Sequence, residues 1–242
     1  MNILIVESKN DKAFVEAIIR HLHLNQVEVS NPICQIDDFD CMNGLNPNKL
    51  ASSLKDALTG VMRGVEKIGI LIDLDQSSIE ERLELVNNSL KMAFQSVFGV
   101  EITDKIIGIN NFLTIDINDS IVSIACYFTN VDGQGELETV LKTIKTKDSP
   151  FADCLSEWQN CLQANGKDIK QKDYDKFWLS NYIRFDTCSK NDKKQAERKC
   201  SIQNLDEVFK NKAHIFDFDN ALLIDIKSSR FVDFTNGKKE IS

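Results

Sequence analysis

Proline and glycine are scarce in this chain, at 3 and 10 positions of 242. Collagen-like and low-complexity chains need several times that fraction and are excluded. Histidine is equally sparse. His21 and His23 are two residues apart, on opposite sides of a helix, which is not the i, i+4 spacing of a helical zinc motif. The seven cysteines are an odd number, contain no CxxC, and read as reduced thiols, several of them buried. No apolar run reaches the eighteen residues of a membrane span, so no membrane partner is expected. The opening MNILIVESKNDK is too briefly apolar for a secretory segment, and the reading is a soluble, cytoplasmic protein.

What is present suits a folded enzyme-sized unit. Apolar residues make up 42% of the chain, and a chain of this length hides roughly 70% of its unfolded surface. Disulfide or metal staples are therefore not required for folding. Acidic residues outnumber basic ones, 37 to 29, for a net charge of −8, which argues against a protein that coats nucleic acid through a uniformly basic surface. The imbalance is local. Residues 1–141 carry 10 basic and 21 acidic side chains, whereas residues 142–199 carry 13 and 9. An anionic polymer would meet the second segment, and the first would approach phosphate only with divalent cations between them.

Short apolar runs alternate with amphipathic stretches. NILIV at 2–6 reads as a buried strand, followed by a helix that Asn10 or Asp11 caps and that carries Phe14, Ile18 and Leu22 on one face. A second, weaker strand is expected over 33–39, and a helix opened by Pro47 carries Leu50, Leu54 and Leu58. KIGILIDL at 67–74 is the strongest strand pattern, and Ser77 or Ser78 then caps a long helix through Phe94. Residues 121–128 read as another buried strand, with a loop to Gly135 and a helix from Glu136. This alternation predicts an α/β core over 1–146, a mostly parallel sheet flanked by helices, with ligands at the carboxyl ends of the strands. From 147 to 242, helical patterns separated by Lys-rich links predict a helical elaboration packed on that core, its links mobile and residues 220–231 helical. Trp158, Phe177 and Trp178 fall in these patterns and read as core.

Acidic groups stand where strands end. Glu7 follows NILIV, Asp73 and Asp75 follow GILI, and the GELE segment follows the strand at 121–128. In a parallel sheet these ends share one edge, so groups far apart in sequence converge. Two residues apart on an extended chain, Asp73 and Asp75 project to the same side. Such oxygen donors suit Mg²⁺ or Mn²⁺.

At these residues the chain resembles a known family. VESKNDKAFVEAII at 6–19 resembles the first Toprim motif, a strand-end glutamate followed by a helix-opening aspartate, and LIDLDQ at 71–76 resembles its DxD motif. GQGELETVL at 133–141 and HIFDFDNALL at 214–223 are similar to segments of a Toprim-related bacterial family, itself related to the OLD nucleases. The resemblance implies a Toprim-like fold and a metal-dependent phosphodiesterase, a nuclease on DNA or RNA, with a protein partner in phage defence as a further implication. It makes Glu7, Asp73 and Asp75 catalytic, and Glu7, Asp73, Asp75 and Glu138 ligands of Mg²⁺ or Mn²⁺. Asp11 matches the helix-opening aspartate, and Asp132 stands as an outer ligand. Ser8 departs from the glycine common at its position. No topoisomerase-type tyrosine domain or zinc finger fits in this length, so strand passage and complete primase activity are not expected.

Two other readings compete. The Toprim scaffold can serve as a non-catalytic binding or regulatory subunit, which the acidic first segment favours. ILIDLDQSS and IFDFDNALL also resemble the nucleophile motif of haloacid-dehalogenase-type phosphatases. That chemistry leaves Glu7 without a role, and too few residues follow Asp217 and Asp219, which read as a turn and helix cap. Within the Lys-rich stretch, Lys193, Lys194, Arg198 and Lys199 are the candidates for contact with a nucleic-acid backbone, by position and without sequence readout.

Overall fold

The computed structural model describes residues 1–24, 26–34, 44–109, 111–117, 119–195 and 197–221. Five strands form one sheet in the order β2-β1-β3-β5-β4: β1 Asn2–Val6, β2 Val27–Val29, β3 Lys67–Asp73, β4 Leu113–Ile117 and β5 Ser120–Thr129. Strand β1 runs parallel to β2 and β3, and β3 parallel to β5; only β4 is antiparallel to its neighbour. The expected mostly parallel α/β sheet is therefore present. Its first helices are α1 Lys9–His21, α2 Pro47–Thr59, α3 Ile79–Phe98 and α4 Leu137–Thr143.

The pleat sends alternate residues of a strand to opposite faces. Ile5, Ile68, Ile70 and Ile72 pack beneath α2 and α3 with Leu50, Leu54, Leu58, Leu90 and Phe94. Leu4, Val6, Leu71, Ala125 and Tyr127 face the other way, toward Val15 of α1. Both faces are covered, so the strands read as continuous apolar runs rather than alternating ones.

The C-terminal elements are α5 Pro150–Asp153, α6 Leu155–Ala164, α7 Gln171–Asn181, a π-helical turn Tyr182–Asp186, α8 Lys190–Gln195, α9 Leu205–Lys212 and α10 Phe218–Ala221. They are helical, as expected, and share an apolar cluster with the outer sides of α1 and α4. Phe14, Ile18 and Leu141 meet Trp178, Tyr182 and Phe209 there.

Several sequence expectations need correction. Ser8, not Asn10 or Asp11, caps α1: its side chain accepts from the Asp11 N–H, and Asp11 closes a capping box as the third helical residue. The second strand lies at Val27–Val29, ahead of its expected place, because three residues at the sheet edge give little apolar signal. Ile33 and Cys34 are irregular, and 35–39 lie outside the described residues. Strand β4 went unforeseen because LTIDI mixes polar with apolar side chains, as an edge strand does. Trp158 and Phe177 are not core: they pair edge-to-face at 5.3 Å and are 38% and 43% exposed, whereas Trp178 is buried. The Lys-rich link at 190–199 forms α8 and a 3-10 turn. Cys188 and Cys200 are joined by a disulfide rather than being free thiols, while Cys126, Cys154 and Cys161 are free. The second acidic pair, by contrast, forms the turn expected of it, in which the Asn220 N–H donates to Asp217 Oδ1 and Asp219 pairs with His21. Of the expected helix over 220–231, the part beyond 221 lies outside the described residues. No described helix is long and apolar enough to cross a membrane.

Candidate metal centre

The site is assembled at the carboxyl edge of the sheet. The parallel register sets Val6 opposite Leu71, which delivers Glu7 beside the end of β3. The backbone N–H of Asp73 donates to Glu7 Oε2 at 3.2 Å. Just behind them lies Asp11, which is buried and whose carboxylate accepts from the Ser8 N–H at 2.8 Å and the Ser8 hydroxyl at 2.7 Å. Asp11 thus fixes the start of α1 and adds negative charge to the neighbourhood.

Asp75 is not on the extended stretch expected for it: β3 ends at Asp73, and Asp75 has a φ of 54°, in the left-handed region, where aspartate is among the few tolerated side chains. That geometry lets Asp75 exchange two backbone hydrogen bonds with Gly135, at 2.9 and 3.1 Å. Gly135 has φ 95°, and a β-carbon there would come within 2.5 Å of Thr139 Oγ1. Glycine is thus required both by conformation and by space. The Asp75–Gly135 bridge ties the loop after β5 to the end of β3, and the next residue, Glu136, is carried into the site.

One carboxylate oxygen from each of Asp73, Asp75 and Glu136 lies within 4.8 Å of the other two. Glu7 and Glu138 line the same cavity, of about 310 Å³, together with Asp73, Glu136, Lys172 and Lys176. All four carboxylates of the sequence reading, Glu7, Asp73, Asp75 and Glu138, therefore meet in one region, but the third member of the tightest group is Glu136. Sequence reasoning passed over Glu136 in favour of Glu138. The signal that could have found it is the preceding Gly135, whose turn directs the following side chain. Asp132 sits at the exposed tip of the same loop, with φ 52°, and is not among the cavity residues.

Burial and mutual repulsion raise the pKa of Glu7, Asp73, Glu136 and Glu138. Burial first, and then the charge of Asp11, push Glu7 up to about 7. Asp73 rises well above the usual carboxylate range through burial and the charges of Asp11, Glu7, Glu136 and Glu138. Glu138 reaches about 7 through burial and the charge of Glu136. Burial also raises Glu136, against the pull of Lys172 and Lys176. Two buried oxygens, Asp73 Oδ1 and Glu136 Oε1, have no hydrogen-bond partner. Buried acceptors without donors are rare, and here they belong to hard oxygen donors in a like-charged group. A divalent cation fits such a set, since it would satisfy the orphaned oxygens and relieve the repulsion.

Two cations of the chain already approach the group. Arg82 Nη2 lies 2.7 Å from Asp75 Oδ2, and Lys172 Nζ lies 3.2 Å from Asp75 Oδ1 and 2.9 Å from Glu136 Oε2. Burial works against the charge on Lys172, but its bond to Glu136 and the charges of Glu136 and Asp75 outweigh that and raise its pKa. No feature of the sequence links Lys172 to these acids. Helix α7 presents it because Asp175, buried one turn later, accepts from Thr139 Oγ1, Lys142 Nζ and Gln171 Nε2, each at 3.0 Å, and so clamps α7 onto α4.

The basic residues named from sequence lie elsewhere. Lys193 Nζ sits 5.0 Å from the centre of the Phe185 ring, Lys194 is exposed, and neither these nor Lys199 lines the acidic cavity. The side chain of Arg198 lies outside the described residues. The basic side chains lining the cavity are Lys172 and Lys176, which come from a helix that the sequence reading treated only as packing.

No curated protein and no solved structure matches the chain. A family model does, over residues 1–228, under the description "Protein of unknown function (DUF3226)", and the chain belongs to that family.

Proposed function

We propose that this protein is a Mg²⁺- or Mn²⁺-dependent phosphodiesterase acting on nucleic acid, built on a Toprim-like core. The observation that carries the proposal is the convergence of Glu7 and Asp73 with Asp75 and Glu136 at one sheet edge, two of their buried oxygens lacking partners, in a cavity that also holds lysines. The resemblance of residues 6–19 and 71–76 to the two Toprim motifs supports it.

In this reading Asp73 and Glu136 would hold the cation through their unpartnered oxygens, with Asp75 completing the acidic group and Glu7 and Glu138 beside it. A divalent ion there would supply Lewis-acid stabilisation of a phosphate oxygen and would acidify water. Glu7, which burial pushes up to about 7, would take the proton of the attacking water at a carboxylate oxygen as the water oxygen bonds to phosphorus and the ester P–O bond breaks, and that proton would then pass to the departing alkoxide oxygen. Lys176, half-buried in the cavity wall, draws the phosphate toward the acids. The test is cleavage of single- and double-stranded DNA and RNA with Mn²⁺. Asp73→Asn combined with Asp75→Asn abolishes cleavage and leaves the circular dichroism spectrum intact; activity retained in that variant sinks the site.

A second reading is favoured by Lys172, whose pairing with Asp75 and Glu136 compensates part of the acidic charge within the chain. A scaffold so compensated serves a binding or regulatory subunit that cuts nothing. Calorimetric uptake of Mn²⁺ without cleavage of any of the four substrates selects this reading.

A further inference from the structure

The acids of the site divide into two unequally compensated halves. Asp75 has both oxygens engaged by cations of the chain, Oδ2 by Arg82 at 2.7 Å and Oδ1 by Lys172 at 3.2 Å. Glu136 is split: Oε2 meets Lys172 at 2.9 Å, while Oε1 is buried and unpartnered. Asp73 Oδ1 is buried and unpartnered as well. One ammonium thus bridges two carboxylates from different elements, as a divalent ion would, while one oxygen of Asp73 and one of Glu136 remain uncompensated.

We infer that Lys172 is a built-in cation filling one of two cation positions, so that the site takes a single divalent ion on the Asp73 side and gains a second only when the ammonium is removed. This rests on the metal-centre reading above. Three features of the chain support it. Glu136 is 3% exposed, so its carboxylate needs a cation on each free oxygen more than a surface acid does. Lys172 is delivered by a rigid support, because Asp175 locks the next turn of α7 to α4 through Thr139 and Lys142 and is itself held by Gln171 within α7. Arg82, buried on α3, serves Asp75 alone, whereas Lys172, its side chain 49% exposed, is the cation that spans Asp75 and Glu136 and whose removal by substitution opens the second position.

The experiment counts bound Mn²⁺ per chain, by calorimetric titration and by the loss of the free-ion signal in electron paramagnetic resonance, in the wild type, Lys172→Met and Lys172→Arg. The expected result is one ion in the wild type, two in Lys172→Met and one in Lys172→Arg, which keeps the charge. Because Lys172 is half exposed, Lys172→Met is expected to fold, and circular dichroism checks this. Lys172→Arg keeps the test independent of the packing of methionine. Equal, non-zero counts in the wild type and Lys172→Met overturn this inference and leave the metal centre standing. No ion in any of the three overturns both.

Discussion

Glu7 Oε2 accepts a hydrogen bond from the backbone N–H of Asp73 at 3.2 Å, across a separation of 66 positions in the chain. The bond exists because β1 and β3 are adjacent and parallel, with Val6 opposite Leu71, so that Glu7 leaves β1 alongside the last residues of β3. It places a second carboxyl beside an aspartate that is already surrounded by acids. In the absence of a cation the arrangement is electrostatically costly, and that cost makes the site open to measurement without any substrate.

The two aspartates of the DxD pair should respond to neutralisation in opposite ways in metal-free protein. Asp73 is disfavoured as a charge by burial and by Asp11, Glu7, Glu136 and Glu138, so Asp73→Asn removes an unfavourable charge and stabilises the protein at pH 8. Asp75 is the partner of Arg82, whose side chain is 7% exposed, so Asp75→Asn weakens a nearly buried ion pair and costs about 1–3 kcal/mol. Urea unfolding in the presence of a chelator measures both. The same sign for both variants would contradict the division of the site into compensated and uncompensated halves.

Metal-free stability should fall as pH rises from 5 to 8. A carboxyl whose folded pKa exceeds its unfolded value binds its proton more tightly when folded. Its contribution is complete below the ordinary glutamate value of 4.5 and is lost as pH rises through about 7 for Glu7 and Glu138. For Glu138, 5% exposed, the shift corresponds to about 3 kcal/mol, or roughly 6–12 °C in melting temperature for a chain of this size. Saturating Mn²⁺ should reverse the trend, because the ion competes with those protons, and should raise the melting temperature at pH 8. At a hundredfold excess over its dissociation constant the gain is about 2.7 kcal/mol. Thermal melts with chelator and with Mn²⁺, at four pH values, provide the check.

Gly135→Ala should damage the site through the backbone. The new β-carbon meets Thr139 Oγ1 at 2.5 Å and must adopt φ 95°. The expected cost is about 2 kcal/mol or more, since strain and steric clash add. Because Gly135 pairs with Asp75 and precedes Glu136, affinity for Mn²⁺ should drop at least tenfold. Gly133→Ala, at φ 82° with open space around its β-carbon, should cost less in stability and leave ion affinity nearly unchanged. Calorimetry on the two variants separates the effects.

Asp175→Ala should loosen the helical elaboration from the core. Its carboxylate is 1% exposed and receives three donors, so its loss leaves Thr139, Lys142 and Gln171 without their partner, at about 2–4 kcal/mol. Hydrogen exchange should quicken in α7 and α4 and remain slow in β3 and β5. Uniform protection equal to the wild type would show that the clamp contributes nothing.

Most of the scaffold could be read from residue pattern. NILIV and KIGILID are buried on both faces and therefore appear as unbroken apolar runs, and Ser78 with Glu81 announces the start of α3 through its capping box. Strands β2 and β4 escaped because they are short or half polar, at the two edges of the sheet. Trp158 and Phe177 show the limit of periodicity, which marks an apolar face without saying what covers it.

The sequence by itself determined where the acids Glu7, Asp73 and Asp75 would stand, since strand ends in a parallel sheet share one edge whatever the details of packing. Only the tertiary structure decided that Glu136, rather than Glu138, completes the tightest group, because that depends on the left-handed backbone of Asp75 and its bridge to Gly135. It alone also brought Lys172 to Asp75, 97 positions away. Local pattern cannot encode such a pair. Its geometry is fixed by the Asp175 clamp between two helices, which forms only after the helices have packed.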